Sequence, residues 1–134
     1  MDTRIALGCL RRLAVSDYGR KSIIESEGLE IVYELLCAYR HEEQHQNSSD
    51  KSDSVSVSAK RTCIIERAPS IMSALSLRNK QVVSRMFLEG YFTTFIEVMH
   101  SYVHNPSIAR QCCMLVRNCA VQEQNYQVCQ SNQN

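Results

Sequence analysis

The chain has 134 residues, 44% hydrophobic and 22% charged, a composition that excludes wholesale disorder and leaves room for one compact domain or a few modular units. With 15 Lys+Arg against 14 Asp+Glu the formal net charge is +1, which gives no electrostatic case for a polyanion, so no nucleic acid is expected. No apolar run approaches the roughly 18 residues that span a bilayer, and the opening MDTRIALGCLRRLAVS lacks a long apolar signal core. A cytoplasmic or nuclear protein, neither secreted nor in the membrane, is therefore expected.

Residues 4 to 15, RIALGCLRRLAV, place Ile5, Leu7, Leu10, Leu13 and Ala14 at helical spacing, with Arg4, Arg11 and Arg12 off that stripe. After Ser16-Asp17-Tyr18-Gly19 comes a short apolar-periodic segment, KSIIESEG, in which Gly28 stands where a left-handed helix end favours glycine. LEIVYELLCAYR then carries Leu29, Val32, Tyr33, Leu36 and Cys37 on one helical face. Residues 41 to 60 break the pattern with serines and charges and read as a solvated, disordered insertion. Helical patterning returns in TCIIERAPSIMSALSLR, where Pro69 is expected to kink the helix or start a new one. NKQVVSRMFLEG and YFTTFIEVMHSYVHN follow, and Pro106 is well placed to open PSIARQCCMLVRNCAV. Sustained period-2 alternation is missing throughout, so the chain reads as all-α.

The helix order recurs, and so do residues. LRRLAVSDYGRKSIIESEG falls without gaps on MSALSLRNKQVVSRMFLEG, with Leu13 on Leu75, Ser22 on Ser84 and Gly28 on Gly90, 62 positions on. LRRLAVS also falls on VRNCAVQ, with Arg11 on Arg117 and Ala14 on Ala120, and Ile64 falls on Ile108, 44 positions on. The first step is 18 longer than the second, about the length of the polar insertion, so that segment interrupts a repeat and is not a linker between domains.

Three helices per unit at a step near 44 match the ~40 to 47 residue period of armadillo and HEAT arrays. NKQVVSRMFLEG followed by YFTTFIEVM resembles the armadillo pattern of polar turn, apolar pair, glycine and apolar helix; ARQCCMLVRNCA resembles the third armadillo helix, with Asn118 at its asparagine position. The chain thus resembles the armadillo family. The resemblance implies an α-solenoid of two units plus a partial third: an N-terminally truncated unit at 1–40, the insertion at 41–60, a unit at 61–105 and a partial unit at 106–134. By that count the chain reads as a fragment, or as a form lacking flanking repeats, and a truncated structural fragment without independent function is one alternative to a binding role. The family's fold further implies a concave groove lined by third helices, binding a protein or peptide, with no catalytic residues, cofactor, metal or small-molecule substrate. The groove candidates are Arg12, Arg67, Gln111, Met114 and Asn118. Arg12 and Ala74 stand where the third copy has Asn118. Gly8, Ser70 and Met114 stand where nuclear-import armadillo proteins often have tryptophan, so a ladder for basic peptides is not expected.

Other motifs bear chemistry on paper. His41-Glu42-Glu43-Gln44-His45 fits HExxH, the zinc and general-base pattern of many metalloproteases, and a metal-dependent hydrolase is the rival reading. Its neighbours Arg40, Gln46 and Asn47 are polar, whereas a working zinc helix is buried in a dry shell, so a solvated helix end is the plainer account. His100 and His104 are also four apart, before Asn105-Pro106, and read as helix-end histidines. Seven scattered cysteines without CxxC spacing read as buried small hydrophobes and free thiols. Asn47-Ser48-Ser49 matches a glycosylation sequon that a chain without an export signal would not present to the transferase. Ser48, Ser49, Ser52, Ser54, Ser56 and Ser58 are candidate phosphorylation sites on the insertion.

Overall fold

The computed structural model describes the backbone of residues 2–41 and 53–131 and the side chains of residues 2–40 and 56–122. All regular structure among them is helical: α1 (Thr3–Leu13), α2 (Asp17–Glu25), α3 (Gly28–His41), α4 (Asp53–Ser76), α5 (Lys80–Leu88), α6 (Tyr91–Ser101) and α7 (Pro106–Ser131). Polar residues ahead of the apolar stripes set several starts. Asp2 accepts from the Arg4 amide at 2.9 Å, Ser16 Oγ from the Gly19 amide at 3.0 Å and Asn79 Oδ1 from the Val82 amide at 3.1 Å. Asn105 Oδ1 accepts from Ile108 N at 3.2 Å while Pro106, lacking an N–H, fills the first helical position.

Three expectations from the pattern need correcting. Gly28 does not end α2; it opens α3, and Glu27 carries the left-handed backbone, at φ 58°. Glycine is needed at 28 for space, because a Cβ there would overlap the Ile23 side chain and lie 2.8 Å from Ile23's carbonyl oxygen. The equivalent Gly90 is left-handed, at φ 73°, and open on all sides. Second, helix begins at Asp53, so residues 53 to 60 belong to α4 and not to the insertion. Third, Pro69 does not start a new helix: α4 runs through it to Ser76. Helix α7 runs on to Ser131, beyond the position 44 residues after the end of α4.

The 62-residue step survives in the helix bounds: it carries Asp17–Glu25 to 79–87 and Gly28 to 90, each start one residue before that of α5 or α6. Packing centres on α4, which touches α1, α2, α3, α5 and α7. Its Ile64, Ile65, Ile71, Met72 and Leu75 are fully buried together with Leu7, Leu36, Met86, Phe95, Ile108 and Leu115. Helix α3 is joined to α5 and α6 by stacked Tyr33 and Tyr91 rings, 3.6 Å between centroids, by a 2.8 Å Tyr33–Thr94 hydroxyl bond, and by the Arg85–Glu30 and Arg40–Glu97 ion pairs.

Burial along equivalent positions has a direction. Leu7, Leu10 and Ala14 are the inward residues of α1, and their equivalents Pro69, Met72 and Ser76 are buried on α4. On α7 the same row, Cys113, Val116 and Ala120, is exposed or half-buried. The opposite row behaves inversely: Ile71 and Leu75 on α4 and Leu115 and Cys119 on α7 are buried, whereas Cys9 and Leu13 on α1 are exposed. Helix α1 therefore buries one face, α7 the other, and α4 both.

Candidate functional site

The last turn of α1, the last two turns of α4 and the middle of α7 enclose a cleft of about 630 Å³. It opens because the central helix contributes little bulk. Ser70, Ser73 and Ala74 of α4 form the bottom, between Arg11 and Arg12 on one side and Met114 and Arg117 on the other. Ala14, Val15 and Leu77 add aliphatic lining. The walls are equivalent positions of three helices: Arg11, Ser73 and Arg117 form one row, Arg12, Ala74 and Asn118 the next.

Four of the five residues picked from the sequence, Arg12, Gln111, Met114 and Asn118, line this cleft. Arg67 does not. Its guanidinium donates to the Arg4 carbonyl oxygen, and its Nη1 lies 3.4 Å from where a Cβ on Gly8 would stand. It is a strap between α4 and α1, passing Gly8 at ordinary contact distance. Asn118 lines the cleft with its amide nitrogen engaged, donating to Ser73 O at 3.2 Å and Ser73 Oγ at 3.1 Å. The same Ser73 carbonyl accepts from Ser76 Oγ at 2.8 Å, so Asn118 ties α7 to α4 as well as facing the cleft.

Reading the sequence missed Arg11, Arg20 and Arg117. The repeat alignment that sets Arg11 on Arg117 held the signal for two of them, since residues in one row of stacked helices share a surface. Arg20 comes from α2 and had no such signal: its Nη1 donates to the carbonyls of Ala14 (3.0 Å) and Val15 (3.1 Å), closing the end of α1, and its Nη2 pairs with Asp17. A second cleft of about 440 Å³ shares Arg20 and Leu77 but carries carboxylates of its own, with Lys21 3.8 Å from Glu25, Asp17 on Arg20, and Arg78 as a further cation.

No group of three His, Cys, Asp or Glu that could hold a metal occurs among the described residues. His100 is exposed in the last turn of α6 and His104 in the turn after it. In HEEQH only the backbone of His41, the last residue of α3, is described; residues 42–45 lie outside the described residues. So do Asn47, Ser48, Ser49 and Ser52 and the side chains of Ser54, of Cys129 and of the Gln- and Asn-rich tail from residue 123 onward, while Ser56 and Ser58 are exposed on α4. None of the described helices is long and apolar enough to cross a membrane.

The thiols divide sharply. Cys9 and Cys113 are exposed, whereas burial pushes Cys112 up to about 12 and Cys119 to about 11. A thiol reagent applied to the native protein at neutral pH should label Cys113 and spare its neighbour Cys112, as read by peptide mapping. The sign of the pH effect follows. An unfolded thiol ionises from its ordinary value near 9.0, so above that pH the unfolded chain has released protons that the native chain retains. Stability should therefore be intact below about pH 9 and fall as pH rises toward 11, lowering the urea midpoint.

Comparison with protein-family models, with curated proteins and with solved structures returns no match to the chain.

Proposed function

We propose that the chain is a non-catalytic interaction module of the armadillo kind, in which α1, α4 and α7 take the place of successive third helices. One observation carries this reading: the cleft is assembled from equivalent positions of α1, α4 and α7, as a groove along stacked third helices would be. The directional burial of those helices supports it, because a head-to-tail stack buries one face of the first, the other of the last and both of the middle. The occupant is a protein segment in extended form, met by the Gln111 amide, the thioether of Met114 and the Arg12 guanidinium.

A random peptide library selected on the full chain tests this. Retained peptides should lose roughly tenfold or more in affinity to a Gln111→Ala, Met114→Glu variant. They should keep their affinity for Ile96→Glu, a change at a residue 61% exposed on α6 and outside the cleft. Equal binding to all three proteins, or no peptide retained, sinks the groove assignment.

A further inference from the structure

We infer that the segment seated in this cleft is acidic, held by Arg11, Arg12 and Arg117 beside exposed apolar side chains of the lining. The inference rests on the groove reading above and adds the chemistry of the partner.

The charge of the cleft is a local segregation. The whole chain is nearly balanced, yet four arginines and no carboxylate line this one surface. Arg20 is already occupied by two carbonyls and Asp17. Arg11, Arg12 and Arg117 are exposed and make no ion pair or side-chain hydrogen bond among the described residues. The helix dipole accounts for some of this, since Arg11 and Arg12 sit in the last turn of α1, where cations are favoured. It does not account for Arg117, which lies well inside α7. Nor does it account for the lack of acidic residues on all three walls.

Three like charges facing one cleft repel one another until a counter-charge arrives, and a guanidinium fork matches a carboxylate through two parallel N–H bonds. The apolar lining narrows the choice of polyanion. Val15, Leu77 and Met114 are 80%, 46% and 45% exposed and offer contact to an aliphatic side chain. No aromatic or histidine lines the cleft to stack a base, as single-stranded nucleic acid would require. Glu or Asp alternating with an apolar residue satisfies both the arginines and the apolar lining.

The random library on the full chain, with single-stranded oligo-uridine added as a competitor, tests this. Peptides retained by the wild type should be enriched in Asp and Glu, weaken as salt rises from about 50 to about 200 mM, and lose roughly tenfold in affinity to Arg12→Gln, Arg117→Gln. Thermal melting of that variant should match the wild type, which separates lost binding from lost folding. Cleft-dependent peptides with no acidic enrichment, or acidic peptides indifferent to the arginine changes, overturn the charge assignment while leaving the groove in place. Acidic peptides that also ignore Met114→Glu overturn both. Displacement of the peptides by oligo-uridine at lower concentration than by an acidic peptide assigns the cleft to nucleic acid and overturns the inference.

Discussion

Phe95→Ala should lower the stability of the chain by about 3–5 kcal/mol, a large share of the roughly 5–15 kcal/mol that holds a typical domain folded. Phe95 is fully buried in the middle of α6, its ring edge-on to Phe92 at 6.2 Å, and Phe92 in turn stacks on Phe87 at 4.2 Å. Removing it takes away both the transfer free energy of a phenyl ring and the contacts of every side chain left lining the hole, which backbone-anchored neighbours cannot close. The next residue supplies the control: Ile96 is 61% exposed, and Ile96→Ala should stay within about 0.5 kcal/mol. Urea unfolding followed by circular dichroism gives both numbers. Similar costs at 95 and 96 would mean that α6 presents a different face to the core.

Gly19→Ala should destabilise, against the sign that helix propensity alone assigns. In an exposed helix interior, alanine is worth about 1 kcal/mol more than glycine. At position 19, however, a Cβ would overlap the carbonyl oxygen of Leu13 and stand 2.7 Å from Leu13's carbonyl carbon and 2.9 Å from Ser16 Oγ. Two of those atoms are backbone, and the third is the hydroxyl that caps α2 by accepting from the Gly19 amide itself. Relief must open the α1–α2 joint and loosen the cap, costs of about 1–3 and about 1 kcal/mol. Together these exceed the propensity gain, leaving a net loss of about 1–3 kcal/mol. Gly8→Ala reverses the balance. The nearest atom there is the tip of the flexible Arg67 side chain at 3.4 Å, so the propensity gain should survive and the urea midpoint should rise. If both alanines shift the midpoint the same way, the close approach at Gly19 is not what sets its effect.

How far the architecture could be read in advance depended on how local its causes are. The 3.6-residue stripes of residues 4 to 15 and 29 to 37 predict α1 and α3 because each helix buries one face, and the recurrence of LRRLAVS predicts which positions share a row. Residues 53 to 60 were misread because their polar composition matches a loop, while their helix is a continuation of the buried stretch of α4. Gly28 was assigned the right rarity and the wrong cause: the apposition of Ile23 demands it, and no backbone angle does. In the cleft, Arg12, Gln111, Met114 and Asn118 followed from the resemblance to third armadillo helices. The diversion of Arg67 depends on the Arg4 carbonyl 63 residues earlier, and the engagement of Asn118 on a serine 45 residues earlier; neither is written in any local pattern.

Helix α4 leans on five of the other six helices and also supplies the bottom of the cleft. Whatever settles on Ser70, Ser73 and Ala74 is thus bound to the one element whose ordering both halves of the chain require. Occupancy and folding become thermodynamically linked: a ligand present at a hundredfold excess over its dissociation constant would add about 2.7 kcal/mol to the native state, and loosening either half would weaken the ligand in turn. The cleft and the fold answer to a single equilibrium.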